Sequence, residues 1–302
     1  MSFKKSEHFS CVVFDTETTD KIQYVEDESG KKTAIMPRVI QLGYIYYDSS
    51  DASKIKIFDN LIDIDDSIEI SEGAAKVHHI TKDSIREAPS TKKITMDEAL
   101  QQFLDDIENC DYVVAHNVEF DKNVLLHELE QLENKELKTR GLALFNTFTE
   151  KNQWTCTMKD NIQVCKLQSD KQRNLDRYLK SQGKPPKNYY KFPKLSETYR
   201  YYFGYGPNEE SLHAAIMDVV LCLRVFVRYI SGKDICGTHD EITNYIKTMT
   251  PPDYDFENNC PMKENSEAII SKGGKSKKRR TKKKRKTKRR TKRRKRTTIR
   301  KK

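Results

Sequence analysis

Residues 11–20 read CVVFDTETTD, an apolar run suited to a buried strand that ends in alternating carboxylates, Asp15 and Glu17. In an extended chain, side chains two apart point to the same face, so the pair faces one point in space if the strand persists that far. Two like charges held close cannot both stay ionised cheaply unless a cation sits between them. Hard oxygen ligands suit Mg²⁺ or Mn²⁺ rather than zinc. Taken alone, the Asp-x-Glu pair reads more simply as a solvated strand end, so any functional meaning depends on partners elsewhere in the chain.

The pattern outward from this stretch is that of an α/β protein. RVIQLGYIYYD (38–48) and KIKIFDNLIDI (54–64) alternate and are rich in β-branched and aromatic residues, which predicts two more strands in an antiparallel meander, with YVEDESGKK (24–32) as a polar loop. In MDEALQQFLDDIENC (96–110), Ala99, Leu100, Phe103, Leu104 and Ile107 recur at helical spacing ahead of a short buried strand, YVVAHN (112–117). A long helix is expected from about Val118 to Leu137, with Phe120, Val124, Leu125, Leu129 and Leu132 on one face. QWTCTM (153–158) reads as a strand, KLSETYRYYFG (194–204) as a helix closed by Gly204, and SLHAAIMDVVLCLRVFVRYISG (211–232) as a buried helix. Beyond Gly232 the expectation is a short helix near DEITNYIKTM and then an acidic linker to residue 270.

Charge divides the 302-residue chain. Residues 271–302 hold 22 Lys or Arg and no acid, so the net +11 conceals a body, residues 1–270, with 34 basic and 45 acidic residues, a net of −11. The absence of an apolar run of about 18 residues argues against a membrane span. The N-terminal MSFKKSEHFS lacks the apolar segment of a secretory signal, so an intracellular protein is expected. Seven cysteines with no CxxC pair fit reduced thiols better than a disulfide framework or zinc ribbon, with Cys11 and Cys222 as packing residues.

Two further clusters carry acids. In YVVAHNVEFDKNVLLHEL (112–129), Asp121 falls in the first turn or so of a helix after a strand end. There it is either an exposed residue favourable to the helix dipole or part of a site at the sheet edge. In LHAAIMD (212–218), His213 and Asp218 are five residues apart. Five helical steps would leave them roughly 140° apart, which places His213 at the helix start, as a cap or as a catalytic group. Asp218, amid Ile216, Met217, Val219 and Val220, needs a metal or a cation as partner, because an isolated buried charge is very costly.

The joint occurrence of Asp-x-Glu on the first strand, His-Asn-x-x-Phe-Asp opening a middle helix and His-x-x-x-x-Asp on a late helix resembles the three motifs of the DEDDh family of 3′–5′ exonucleases, whose members include the epsilon proofreading subunit of bacterial replicative DNA polymerase. The resemblance covers roughly Phe9 to Tyr229, and PRVIQLGYIYYD, AAKVHHIT and FPKLSETYRYYFG look like further family segments. It implies an RNase H-like α/β fold, a mixed five-stranded sheet flanked by helices, over residues 1–232. It also implies catalysis with two divalent cations, Mg²⁺ or Mn²⁺: Asp15 bridging both, Glu17 and Asp218 holding one, Asp121 completing the site largely through water, and His213 as general base. Thr18 is a weak candidate contact to the terminal nucleotide. The implied partner is a single-stranded 3′ end, with nucleoside 5′-monophosphates as product. A polymerase or replication partner is needed for any proofreading role, because no polymerase module is visible. The longer loop between the first two strands and the extra residues around LKTRGLALFNTFTEKNQ (137–153) depart from the family pattern.

The Lys/Arg-rich stretch 271–302 contains little to bury and is expected to be disordered in isolation. It reads as a nucleic-acid tether or as an import or packaging signal, and its Thr-punctuated repeats resemble tails on proteins of large DNA viruses. The alternatives to a DNA exonuclease are an exoribonuclease of the same family and, in a different class, a nucleic-acid-binding or packaging protein acting through this tail.

Overall fold

A computed structural model of the chain describes residues 8–51, 54–187, 189–208 and 214–260, all within one compact unit. Residues 261–302, including the Lys/Arg-rich tail and the end of the expected linker, lie outside the described residues. Its strands are β1 (Ser10–Thr18), β2 (Gln23–Glu26), β3 (Lys32–Ile35), β4 (Val39–Asp48), β5 (Lys56–Ile62), β6 (Lys93–Ile94), β7 (Tyr112–Ala115) and β8 (Trp154–Cys156). Six of them form one mixed sheet in the order β6-β5-β4-β1-β7-β8. The pairs β1/β4 and β4/β5 are antiparallel, while β1/β7, β7/β8 and β5/β6 are parallel. The sheet thus has one strand more than the five expected, because Lys93–Ile94 adds a two-residue edge strand, too short to show a period.

The helices are α1 (Glu72–His78), α2 (Lys82–Glu87), α3 (Met96–Ile107), α4 (Val118–Gln131), α5 (Lys135–Glu150), α6 (Thr157–Asp160), α7 (Ile162–Cys165), α8 (Asp170–Ser181), α9 (Leu195–Phe203), α10 (Ala215–Ser231), α11 (Asp240–Thr248) and α12 (Phe256–Asn259). Alternation along β1 sorts them into two layers. Val12 and Phe14 face a core shared with Leu100, Phe103 and Leu104 of α3, Val124 and Leu125 of α4 and Phe145 of α5. Cys11 and Val13 face the opposite core, with Tyr199 of α9, Val219 and Val220 of α10 and Ile242 and Ile246 of α11. Gly204 closes α9 at φ 81°, the left-handed conformation in which glycine is favoured.

Several expectations need correction. The polar loop after β1 is a β2–β3 hairpin whose residues are all exposed; with no buried face, it leaves no apolar alternation to read. The long helix from Val118 to Leu137 is two helices. Leu132 is extended (φ −58°, ψ 136°) and Asn134 restarts the chain by capping the Leu137 amide at 3.1 Å. The thiols are not all reduced: Cys236 and Cys260, Cα atoms 5.4 Å apart, form a disulfide, while Cys11, Cys110, Cys156, Cys165 and Cys222 are free and buried. Their 24-residue separation joins two lone cysteines through tertiary folding, which a count cannot reveal. Within the stretch read as an acidic linker, Tyr254 and the buried Cys260 are tied to the body, the Tyr254 ring lying 3.8 Å from that of Tyr205. Nearby, buried Arg224 of α10 pairs with Asp234 at 2.8 Å and donates to the Tyr205 hydroxyl at 2.8 Å, fastening this end of the chain to α10. No helix among the described residues is long and apolar enough to cross a membrane.

Two close contacts set the depth at which the helices lie. Gly43 of β4 pairs with Asp15, and a Cβ there would come within 3.0–3.1 Å of Ala215 and of the Ile216 backbone, so glycine lets the first turn of α10 rest on the sheet. On the other face, the fully buried Glu128 carboxylate of α4 accepts from Arg38 Nε and Nη2 at 2.9 and 2.8 Å and from the Val39 amide at 2.8 Å. Arg38→Ala would strand that carboxylate, with an expected loss of about 3 kcal/mol in urea denaturation; the double change Arg38→Met/Glu128→Leu is expected to recover most of it.

Candidate active site

The strand through Asp15 and Glu17 persists to Thr18, so the two carboxylates emerge on the face covered by α10. Asp218, in the first turn of α10, lies over them. Asp15, Glu17 and Asp218 each offer one carboxylate oxygen, and these atoms lie within 4.8 Å of one another, all three residues being half-buried. A bulge between Glu17 and Thr18 shifts the pairing with β4, a distortion common where a strand end must aim side chains.

Asp121 arrives from the opposite layer and stands outside that trio. It is 4% exposed, and its Oδ1 accepts from the Thr16 hydroxyl at 2.8 Å and the Thr16 amide at 3.2 Å. Thr16 alternates away from Asp15 and Glu17, toward the α4 side, so the two layers meet at one strand end. The Thr18 hydroxyl donates to the Asp20 carbonyl at 2.7 Å. Of the expected site residues, Asp15, Glu17 and Asp218 are thus gathered, Asp121 adjoins them electrostatically, and His213 lies outside the described residues.

Electrostatics mark the cluster as strained without a cation. Burial first, then the charges of Asp121, Asp218 and Glu17, push the Asp15 carboxyl well above the usual range. Burial and the charges of Asp218 and Asp121 raise Glu17 to about 8. Burial lifts Asp218 to about 6. It does the same for Asp121, against the opposing hydrogen bonds from Thr16. Three converging carboxylates of this kind fit a hard divalent cation, whose charge would let all of them ionise.

Positioning residues that sequence reasoning missed surround the cluster. His78 of α1 is buried; its Nδ1 accepts from the Ile80 amide at 3.0 Å, leaving Nε2 to donate to the Thr18 carbonyl at 3.2 Å and hold the end of β1. His116, just after β7, donates from Nε2 to the Pro193 carbonyl and receives the Thr157 hydroxyl at Nδ1, both at 3.0 Å. Burial holds its pKa down at about 4, against the opposing bond to Pro193, so this imidazole is neutral. Apart from Ile80 these partners are far away in sequence, and only the HHIT and HN motif positions could have drawn attention to these rings.

The raised carboxyl pKa values give a signed stability prediction. Groups whose folded pKa lies above the unfolded value of about 4 stabilise fully below that value and lose this contribution as pH rises through about 6 to 8. Thermal denaturation in EDTA should therefore show stability falling from pH 5 to pH 8. Mg²⁺ or Mn²⁺ should add more to Tm at pH 8 than at pH 5, and Asp15→Asn should flatten both trends.

Comparison with known proteins bears on this arrangement. Among curated proteins, none matches the chain by sequence. Of solved structures, the nuclease domain of 3'hExo, a DEDDh family member bound to rAMP, resembles it at 12% identity and a TM-score of 0.41, over 76% of this chain and 95% of that one. E. coli Exonuclease I in complex with a dT13 oligonucleotide does so at 13% identity and a TM-score of 0.44, over 74% of this chain and 42% of that one. A full-length 3'-exonuclease matches at 13% identity and a TM-score of 0.40, over 77% of this chain, which spans 64% of that protein's length. At these low scores the likenesses do not bear on what the chain acts on. The sequence profile of the RNase_T exonuclease family, in contrast, matches residues 12–226, more than half of the chain and all of the cluster described above; the chain belongs to that exonuclease family.

Proposed function

We propose that this exonuclease is of the DEDDh type and hydrolyses single-stranded DNA from its 3′ end, releasing nucleoside 5′-monophosphates with two Mg²⁺ or Mn²⁺ ions. The observation that carries this reading is the meeting of Asp15 and Glu17 of β1 with Asp218 of α10, three carboxylates from two distant segments with oxygens within 4.8 Å. Burial pushes all three carboxyls up, and neighbouring carboxylates add to this at Asp15 and Glu17, so a cation among them would let all three ionise.

In this reading Asp15, Glu17 and Asp218 hold the ions. Once bound, divalent cations supply charge neutralisation and Lewis acidity at a phosphodiester. Asp121, its Oδ1 fixed by Thr16, completes the site through water. His213, carried by the His-x-x-x-x-Asp motif, accepts the proton of the attacking water, a role suited to an imidazole titrating near neutrality. With its hydroxyl donated to the Asp20 carbonyl and its own carbonyl held by His78, Thr18 has its methyl group left for a contact to the terminal nucleotide. Catalysis belongs to residues 1–232, and the Lys/Arg-rich residues 271–302 act as a tether for polyanions, raising the local concentration of substrate.

Digestion of matched DNA and RNA oligonucleotides, labelled at either end, with and without Mg²⁺ tests this. Mononucleotides should appear from the 3′ end of the DNA strand, only with the metal, and Asp15→Ala should slow release by about a thousandfold or more. Faster digestion of the RNA strand would reassign the substrate to RNA, and full turnover by Asp15→Ala would overturn the mechanism.

A further inference from the structure

Between α7 and α9 the chain makes an excursion, KLQSDKQRNLDRYLKSQGKPPKNYYKFPK (166–194), whose charge opposes that of its surroundings. It carries nine Lys or Arg against two acids, whereas the remainder of residues 1–270 carries 25 against 43. Its helix α8 has no buried residue, so the excursion adds nothing to either core. It is nonetheless built. Ser169 and Gln172 cap α8 reciprocally, Asp176 accepts from the Gln168 amide group at 2.7 Å and the Lys187 amide at 3.1 Å, and the Lys191 amide returns to the Leu167 carbonyl at 2.8 Å.

Its outer surface presents rings among the cations. Tyr178, Tyr189 and Phe192 are 62%, 60% and 58% exposed, and Arg177, Lys180 and Lys184 are exposed with no ion pair among the described residues. A merely solvated helix accounts for the charge but not for three large rings held in water. Aromatic faces interleaved with cations suit bases that stack and phosphates that pair. Location agrees with chemistry: near the end of the excursion the Pro193 carbonyl is held by His116 at 3.0 Å. That histidine follows the end of β7, which runs parallel to β1 with Val13 opposite Val114, so the segment rejoins the body beside the strand end bearing Asp15. Against a body whose remaining charge is net acidic, such a strip is where a polyanion is favoured.

We infer that residues 166–194 form a second nucleic-acid surface, distinct from the catalytic cluster, which takes the single strand by stacking on Tyr178, Tyr189 and Phe192 and by phosphate contacts to Arg177, Lys180 and Lys184. The inference rests on the exonuclease reading for the identity of the strand, but binding here does not require turnover.

The test uses the full chain carrying Asp15→Ala, with an oligothymidylate of about 20 nucleotides containing 4-thiothymidine. Photo-crosslinking should yield peptide adducts at Tyr178, Tyr189 or Phe192. By fluorescence anisotropy, Tyr178→Ala/Tyr189→Ala/Phe192→Ala should weaken binding about tenfold or more. Arg177→Gln/Lys180→Gln/Lys184→Gln should reduce the slope of log affinity against log salt by about 2. Adducts confined to residues outside 166–194, unchanged affinity in the ring variant, or an unchanged slope in the glutamine variant would each overturn it. A chain with Asp15 intact that releases no nucleotide while these binding effects hold would remove the exonuclease reading and leave the surface standing.

Discussion

Mutual repulsion among carboxylates is the constraint around which this fold is organised. Asp15, Glu17 and Asp218 are brought within a few ångströms, with Asp121 close enough to raise the pKa of the first two. Once ionised, such a cluster works against folding unless a cation sits among the carboxylates. Everything that holds it must come from elsewhere, and it does: β1 is an interior strand of the sheet, with apolar cores on both faces. Dense packing on both sides fixes the strand so that its polar end need not contribute to stability.

The two-layer arrangement also explains how acids so distant in sequence share one end of the sheet. Alternation directs Asp15 and Glu17 toward α10 and Thr16 toward α4. Gly43 admits the first turn of α10, and with it Asp218, to the depth of the strand. Glu128 and Arg38 clamp α4 from the other side, and Thr16 then receives Asp121. His78 holds the carbonyl that ends β1. Each contact is individually modest, but together they leave the carboxylates little freedom to move apart, which is the preorganisation a metal-dependent hydrolase needs.

Much of this was legible in the sequence because it rests on short-range period and on motif spacing. The Asp-x-Glu alternation, the apolar spacing of Ala99 to Ile107 and the late apolar helix all mapped onto observed elements. What could not be read depends on contacts between distant residues or on elements that bury nothing. The exposed β2–β3 hairpin has no hydrophobic alternation, the break at Leu132 is set by the Asn134 cap within an otherwise helical run, and the Cys236–Cys260 bond requires α11 and the chain after it to fold back. That Thr16 bonds Asp121, 105 residues away, no local pattern could say.

If the cluster of Asp15, Glu17 and Asp218 holds divalent metal, as proposed above, the protein binds such ions in solution. The most direct measurement is a Mn²⁺ titration of the full-length protein followed by electron paramagnetic resonance, comparing the unaltered chain with Asp15→Asn/Asp218→Asn. Saturable binding of two ions per chain is expected, lost in the double variant while its circular dichroism spectrum is unchanged. Equal Mn²⁺ binding by the two proteins would contradict it.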